Sequence, residues 1–146
     1  MVDLIGQHQK IENELREAMG RVLATGAFVK GPEVQAFAEE LADFTGSKHV
    51  IPCGNGTDAL QIAMMALGIG PGDEVITTGF TFISTVEVVA LLGAKPVLVD
   101  IDPDSFNIDA GQVEQVITER TKAIVPVHLF GQMANMTALA AISKKH

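Results

Sequence analysis

Two uninterrupted apolar runs constrain this chain most: Pro96-Val97-Leu98-Val99 and Ala123-Ile124-Val125-Pro126-Val127. A strand with one face in water alternates apolar and polar side chains, because successive residues point to opposite faces. A strand that is apolar at every position is covered on both faces, as in a parallel sheet flanked by helices. From Ser47 onward such runs alternate with segments of helical spacing. The pattern predicts strands over 48–52, 74–78, 96–100 and 123–129. It predicts helices over 57–67, 82–92, 109–118 and 137–145. Asp109 followed by Gln112 has the spacing of a capping box. The expected class is α/β, a three-layer αβα arrangement with a mainly parallel sheet.

Upstream the pattern is purely helical. Ile11, Leu15, Ala18, Met19, Val22 and Leu23 recur at helical spacing. Gly26 follows as a C-terminal stop. Pro32 suits the first position of a second helix, whose apolar face is Val34, Phe37, Leu41 and Phe44, with Gly46 closing it. The expected division is therefore residues 1–47, N-terminal helices, and 48–146, the strand–helix region. Lys144-Lys145-His146 reads as the end of a helix that leads into another strand, so the chain is expected to be the N-terminal portion of a longer protein.

Composition excludes some functions. A formal net charge of -8 argues against nucleic acid, whose phosphates call for basic patches. The apolar stretch 86–99 is broken by Glu87, Gly93, Lys95 and Pro96, too short and interrupted to span a membrane. The first residues show no secretory signal. Cys53 is the sole cysteine, which forbids an intrachain disulfide and suits a reducing, cytoplasmic setting. No metal site is expected.

The segment Gly54-Asn55-Gly56-Thr57-Asp58-Ala59-Leu60 lies between a predicted strand and a predicted helix. The first N–H groups of a helix lack intrahelical partners, and the helix dipole adds partial positive charge there. That makes the junction an anion site. Gly56 lets a ligand approach the backbone, and Thr57 offers a hydroxyl and a helix cap. The segment also fits G-x-G-x-x-A, the pattern of a nicotinamide-dependent dehydrogenase. That rival needs an acid at the end of the second strand, and Thr77-Thr78-Gly79 has none. Asp73 and Glu74 precede that strand, at the wrong edge of the sheet. A non-catalytic remnant or binding domain is the reading from outside enzymology.

Six motifs in order carry a family likeness: the segment 53–60, then 67–76, then Thr81-Phe82-Ile83-Ser84-Thr85, then 93–103, then Asn107-Ile108-Asp109, then 121–132. The series resembles the DegT/DnrJ/EryC1/StrS family of sugar aminotransferases from about Gly31 to the C-terminus. The resemblance implies part of the large domain of the aspartate-aminotransferase fold, with pyridoxal 5'-phosphate as cofactor. It implies amino transfer, with glutamate the expected donor, to a nucleotide-linked keto-sugar, in a homodimer. It places Asn55, Gly56 and Thr57 at the cofactor phosphate and Phe82 against the pyridine ring. It puts Phe28 near the substrate entrance. None of Lys10, Lys30, Lys48, Lys95, Lys122, Lys144 or Lys145 matches the family's Schiff-base lysine. The carboxylate at the ring nitrogen is unmatched too. No catalytic residue is therefore assigned to this chain, which alone is expected to be inactive. A sugar dehydratase of the same family is the nearest alternative.

The remaining polar candidates have plainer readings. His128 is expected to be a satisfied structural histidine, and Cys53 a small buried filler. Asp102 to Ser105 is expected to form a turn capped by side chains, in preference to a metal site built on Asp100 and Asp102.

Overall fold

The computed structural model describes residues 2–146. The chain forms two compact units, Met1–Pro52 and Cys53–His146. The first contains α1 (Leu4–Lys10), α2 (Glu12–Thr25) and α3 (Pro32–Thr45). The second runs α4 (Gly56–Ala66), β1 (Glu74–Thr78), α5 (Ser84–Leu91), β2 (Lys95–Val99), α6 (Ala110–Gln115), β3 (Thr121–Ile124) and α7 (Met136–Lys145).

In the first unit, α2 and α3 each end on a glycine in the left-handed region, Gly26 (φ 64°) and Gly46 (φ 68°). Pro32 opens α3 as its spacing predicted. The helical run that includes Ile11 is interrupted there (φ -123°, ψ 19°), where its N–H bonds to the His8 carbonyl in a tightened turn. Ile11 is β-branched and a weak helix former, so the break falls there. The three helices contain no buried residue, and Phe44 is 89% exposed.

The second unit is a three-layer αβα sandwich on a parallel sheet ordered β2-β1-β3. Glu74 pairs with Lys95 and Thr78 with Val99 on one side of β1; Val75 pairs with Ala123 and Ile76 with Ile124 on the other. Every residue of β1 is buried. Its side chains alternate between two cores. Val75 joins Met64, Ile69, Val88, Val89 and Ala94, under α4 and α5. Ile76 joins Val99, Ile108, Val113, Leu139 and Ile142, under α6 and α7. The apolar runs thus serve a sheet covered on both faces.

Most predicted elements form within two residues of their expected bounds, and three depart further. Residues 48–52 form no strand. Among the described residues no backbone hydrogen bond reaches 48–54, and a strand exists only where a neighbour accepts its ladder. The strand expected over 123–129 begins at Thr121 and ends at Ile124. The Val125 N–H still bonds to the Ile76 carbonyl at 2.8 Å, but Thr77 Oγ1 donates to the Val125 carbonyl at 2.9 Å and Pro126 has no N–H, so the ladder stops. The helix expected to reach residue 118 ends at Gln115, because Thr118 turns its hydroxyl to Glu74 at 2.6 Å. Among the described residues, no helix is long and apolar enough to cross a membrane.

Candidate functional site

Each helix of a parallel α/β unit runs back against the strands, so helix N-termini gather at the strands' C-terminal edge. Here α4 leads through residues 67–73 into the start of β1, which puts its N-terminus at that edge. The segments after β1, β2 and β3 reach the same edge.

The first turn of α4 is built by Asn55. Its Oδ1 accepts the Asp58 N–H at 3.0 Å, and its Nδ2 donates to Asp58 Oδ2 at 3.1 Å. The helix cap is therefore Asn55, not Thr57 as the sequence suggested. An extended residue one position before the helix can turn its side chain back onto the free N–H groups, whereas Thr57 is already inside the helix. A Cβ at Gly54 would stand 2.7 Å from Asp58 Oδ2, so a side chain there would displace the Asp58 carboxylate. At Gly56 a Cβ would meet nothing within 4 Å, so the space beside it is open and the Asp58 carboxylate is turned away from it.

This leaves the Gly56 and Thr57 N–H groups and the Thr57 hydroxyl without a hydrogen-bond partner among the described residues. Three donors at the positive end of an eleven-residue helix, with open space beside a glycine, fit a phosphate dianion. Cys53 is exposed, contrary to expectation, and its Sγ contacts the Asn55 carbonyl at 3.4 Å. The chain at 53–54 lies outside any ladder, so no layer covers it.

Phe82 precedes α5 in the segment that leaves β1 and is 73% exposed. A ring so open contributes little to a core and is free to meet a flat ligand. Phe28 is exposed in the loop after α2 of the first unit. Three phenylalanines to which the sequence reading gave no site role join the C-terminal edge. Phe106 lies between Phe80 and Phe130, with ring centroids 5.9 Å and 6.3 Å away. The segment after each strand thus contributes one ring to this cluster, and Phe82 follows Phe80 in the segment after β1. Phe106 and Phe130 hold left-handed backbone (φ 58° and 56°), which no sequence rule assigns to phenylalanine.

The polar turns around the site are satisfied within the chain. Asp102 Oδ1 accepts the Ser105 N–H at 2.8 Å, the Ser105 hydroxyl at 2.9 Å and the Asp104 N–H at 3.2 Å. The Ser105 backbone bond, then its hydroxyl, holds the Asp102 carboxyl below the usual range. The expected capped turn is thus present. His128 Nδ1 accepts the Ala134 N–H at 3.1 Å, the structural role expected of it.

No lysine of this unit stands at the C-terminal edge. Lys95 and Lys122 lie at the starts of β2 and β3, and Lys144 and Lys145 end α7. A groove of about 470 Å3 between β3 and α7 is lined by Ile124, Pro126 and Leu139 among others, and no residue of α4 borders it.

The chain's likeness to known proteins covers nearly all of it. It is 54% identical over 145 residues to UDP-2-acetamido-2-deoxy-3-oxo-D-glucuronate aminotransferase of Pseudomonas aeruginosa, covering 99% of this chain and 40% of that protein. It matches the crystal structure of a DegT DnrJ EryC1 StrS aminotransferase from Brucella abortus with a TM-score of 0.94 and 47% identity, over 99% of this chain and 40% of the other. NtdA of Bacillus subtilis, solved with its cofactor PMP bound, matches with a TM-score of 0.89 and 37% identity, over 93% and 31% of the two chains. The chain thus spans 31–40% of the length of these relatives. With the family profile matching residues 9–146, the chain belongs to the DegT/DnrJ/EryC1/StrS aminotransferase family.

Proposed function

We propose that this chain supplies the cofactor-anchoring part of a pyridoxal-phosphate aminotransferase acting on a nucleotide-linked keto-sugar. The observation that carries the reading is the first turn of α4, where the Gly56 and Thr57 N–H groups and the Thr57 hydroxyl have no partner among the described residues. Bound there, pyridoxal phosphate supplies an electron-accepting ring that carries an amino group from donor to acceptor. The backbone at Gly56 and Thr57 holds its phosphate, and the Thr57 hydroxyl adds a charge-assisted bond. Asn55 keeps the turn open by holding Asp58 away from the anion. Phe82 covers one face of the ring. The family resemblance alone supports a role for Phe28 near the substrate entrance.

Glutamate is the proposed amino donor. None of this chain's residues matches the family's Schiff-base lysine or its ring-nitrogen carboxylate, and on this reading the 146-residue chain alone does not turn over. The enzyme works in the cytoplasm as a homodimer. Support for the dimer is the first unit, whose helices bury no residue and expose Phe37, Phe44 and Leu23.

The test is direct. The full-length enzyme is incubated with pyridoxal phosphate, glutamate and a UDP-linked 3-keto sugar, and products are followed by mass spectrometry. Amino sugar and 2-oxoglutarate should appear in equal amounts. Absence of cofactor binding, or glutamate left unconsumed with every keto-sugar offered, refutes the proposal. Sedimentation of the same enzyme as a monomer at micromolar concentration refutes the dimer.

A further inference from the structure

Asn107 is 2% exposed and belongs to neither the α4 anion site nor the apolar cores. Its amide is divided between two backbone groups of one loop. Oδ1 accepts the Leu129 N–H at 3.2 Å, and Nδ2 donates to the Gln132 carbonyl at 3.2 Å. Its own carbonyl accepts the Asp102 N–H at 2.9 Å. One buried side chain therefore staples the turn after β2 to the loop after β3. The His128 bond to Ala134 closes the same loop from its other end.

That loop carries Phe130 in a left-handed backbone conformation, and the residue beside the staple, Phe106, is left-handed as well. Bulky residues adopt that region rarely and keep it only where their surroundings hold them there. The Phe130 ring is 83% exposed and meets only the edge of the Phe106 ring, at 6.3 Å between centroids, so little packing holds it in place. It borders a shallow cavity of about 280 Å3 lined by Gly79, Phe80, Thr81, Leu129 and Phe130. Two of those residues, Phe80 and Thr81, directly precede Phe82 in the chain.

We propose that Asn107 is a positioning residue. By fixing Leu129 and Gln132 it holds the exposed Phe130 ring at the wall of this cavity, where the ring meets the keto-sugar substrate next to the cofactor. The inference rests on the aminotransferase reading above and extends it to a substrate-facing wall. Asn107 itself touches neither substrate nor cofactor.

The experiment uses the full-length enzyme loaded with pyridoxal phosphate, as wild type, Asn107→Ala, Phe130→Ala and the double variant. Steady-state kinetics with the keto-sugar are paired with hydrogen exchange of the 128–134 amides. Phe130→Ala should raise KM about three- to tenfold, the loss of one aromatic contact, with cofactor affinity and melting temperature unchanged. Asn107→Ala should raise KM to a similar extent and expose the Leu129 amide to exchange, while residues 74–78 stay protected. The double variant should be no worse in KM than the worse single one, since both remove the same contact. Because an exposed ring can be truncated without unfolding the chain, Phe130→Ala keeps the proposal open to refutation even where Asn107→Ala fails to fold: an unchanged KM overturns it. Additive KM effects, or a Leu129 amide equally protected in Asn107→Ala, overturn it as well. A wild-type enzyme that aminates no keto-sugar overturns the functional reading together with this one; the variant outcomes above overturn this inference alone.

Discussion

The two edges of the parallel sheet are built from the ends of the same three strands and have opposite character. At the N-terminal edge, Glu74 is 2% exposed and every oxygen of its carboxylate is engaged. Thr118 Oγ1 donates to it at 2.6 Å, Arg120 Nη2 at 2.8 Å and Lys95 Nζ at 3.1 Å. Its own N–H bonds to the Arg120 carbonyl at 2.8 Å. One residue thus joins the starts of all three strands. At the C-terminal edge the donors of Gly56 and Thr57 are left without partners among the described residues, and Phe82 and Phe130 are open. Self-satisfied polar groups hold a fold together, whereas unsatisfied ones at an open edge are available to a ligand. Stability and binding are therefore separable here, and substitutions at the two edges should fail differently.

The largest effect is expected between the edges. Ile76 lies in the middle of β1, fully buried in the core shared by α6 and α7. Ile76→Ala should lower unfolding free energy by about 2–5 kcal/mol, from lost burial and the cavity left behind. Urea denaturation should show both edges lost in one transition. If cofactor binding weakened with no change in the denaturation midpoint, the central strand would belong to the binding edge alone.

At the N-terminal edge, Glu74→Gln should lower stability by less than Ile76→Ala and leave cofactor affinity unchanged. The Thr118 hydroxyl, then Lys95, with Arg120 adding its charge, hold the Glu74 carboxyl below its ordinary 4.5. The folded state thus favours the ionised form more than the unfolded chain does. This stabilisation is complete above about pH 4.5 and is lost as pH falls through the depressed folded value. Denaturant midpoints measured from pH 6 to 3 should decline less steeply in Glu74→Gln than in wild type. Parallel curves would mean that the ion cluster adds nothing to stability, and the contrast between edges would lose one side.

The layered fold was legible because burial on two faces writes itself into composition: 96–99 and 123–127 admit few other structures. The α4 junction was legible for a different reason, since Gly54-Asn55-Gly56 is local turn chemistry. What could not be read depends on distant partners. Residues 48–52 have strand composition, yet composition supplies no neighbour to bond them. Thr118 left its helix for a carboxylate 44 positions away. The choice of Asn55 over Thr57 as cap turns on which residue is extended and which is helical, and both types cap well. Asn107 opens one of the ordered motifs, but its stapling role could not be read there, because its partners Leu129 and Gln132 reach it only once β2 and β3 share a sheet.

The binding edge should respond in affinity and not in stability. The Thr57 hydroxyl makes no hydrogen bond within the described residues, so its loss removes nothing from the folded chain. Thr57→Ala in the full-length enzyme should weaken cofactor binding by about 1.5–3 kcal/mol, the contribution of one charge-assisted hydrogen bond. The melting temperature without cofactor should hold or rise slightly, since alanine is the better helix former. An unaltered affinity in a cofactor titration would take Thr57 out of the site.

Phe82 offers the smallest effect and the finest discrimination. A phenylalanine that served the core would be enclosed, and its truncation would destabilise by several kcal/mol. Phe82 is 73% exposed and stands before α5, whose buried residues are Ser84, Thr85, Val88 and Val89. Phe82→Ala therefore should leave the denaturant midpoint in place. If the ring stacks on the cofactor, the same change should cost about 0.5–1.5 kcal/mol of cofactor affinity, and Phe82→Tyr should restore it, because the stacking face is retained. Leucine is the informative third variant. It keeps apolar area but has no π-face, so Phe82→Leu should fall between Ala and Tyr. Equal affinities for the Leu and Tyr variants would mean that apolar area alone acts here, and that the open end of the sheet grips its ligand through the phosphate turn of α4.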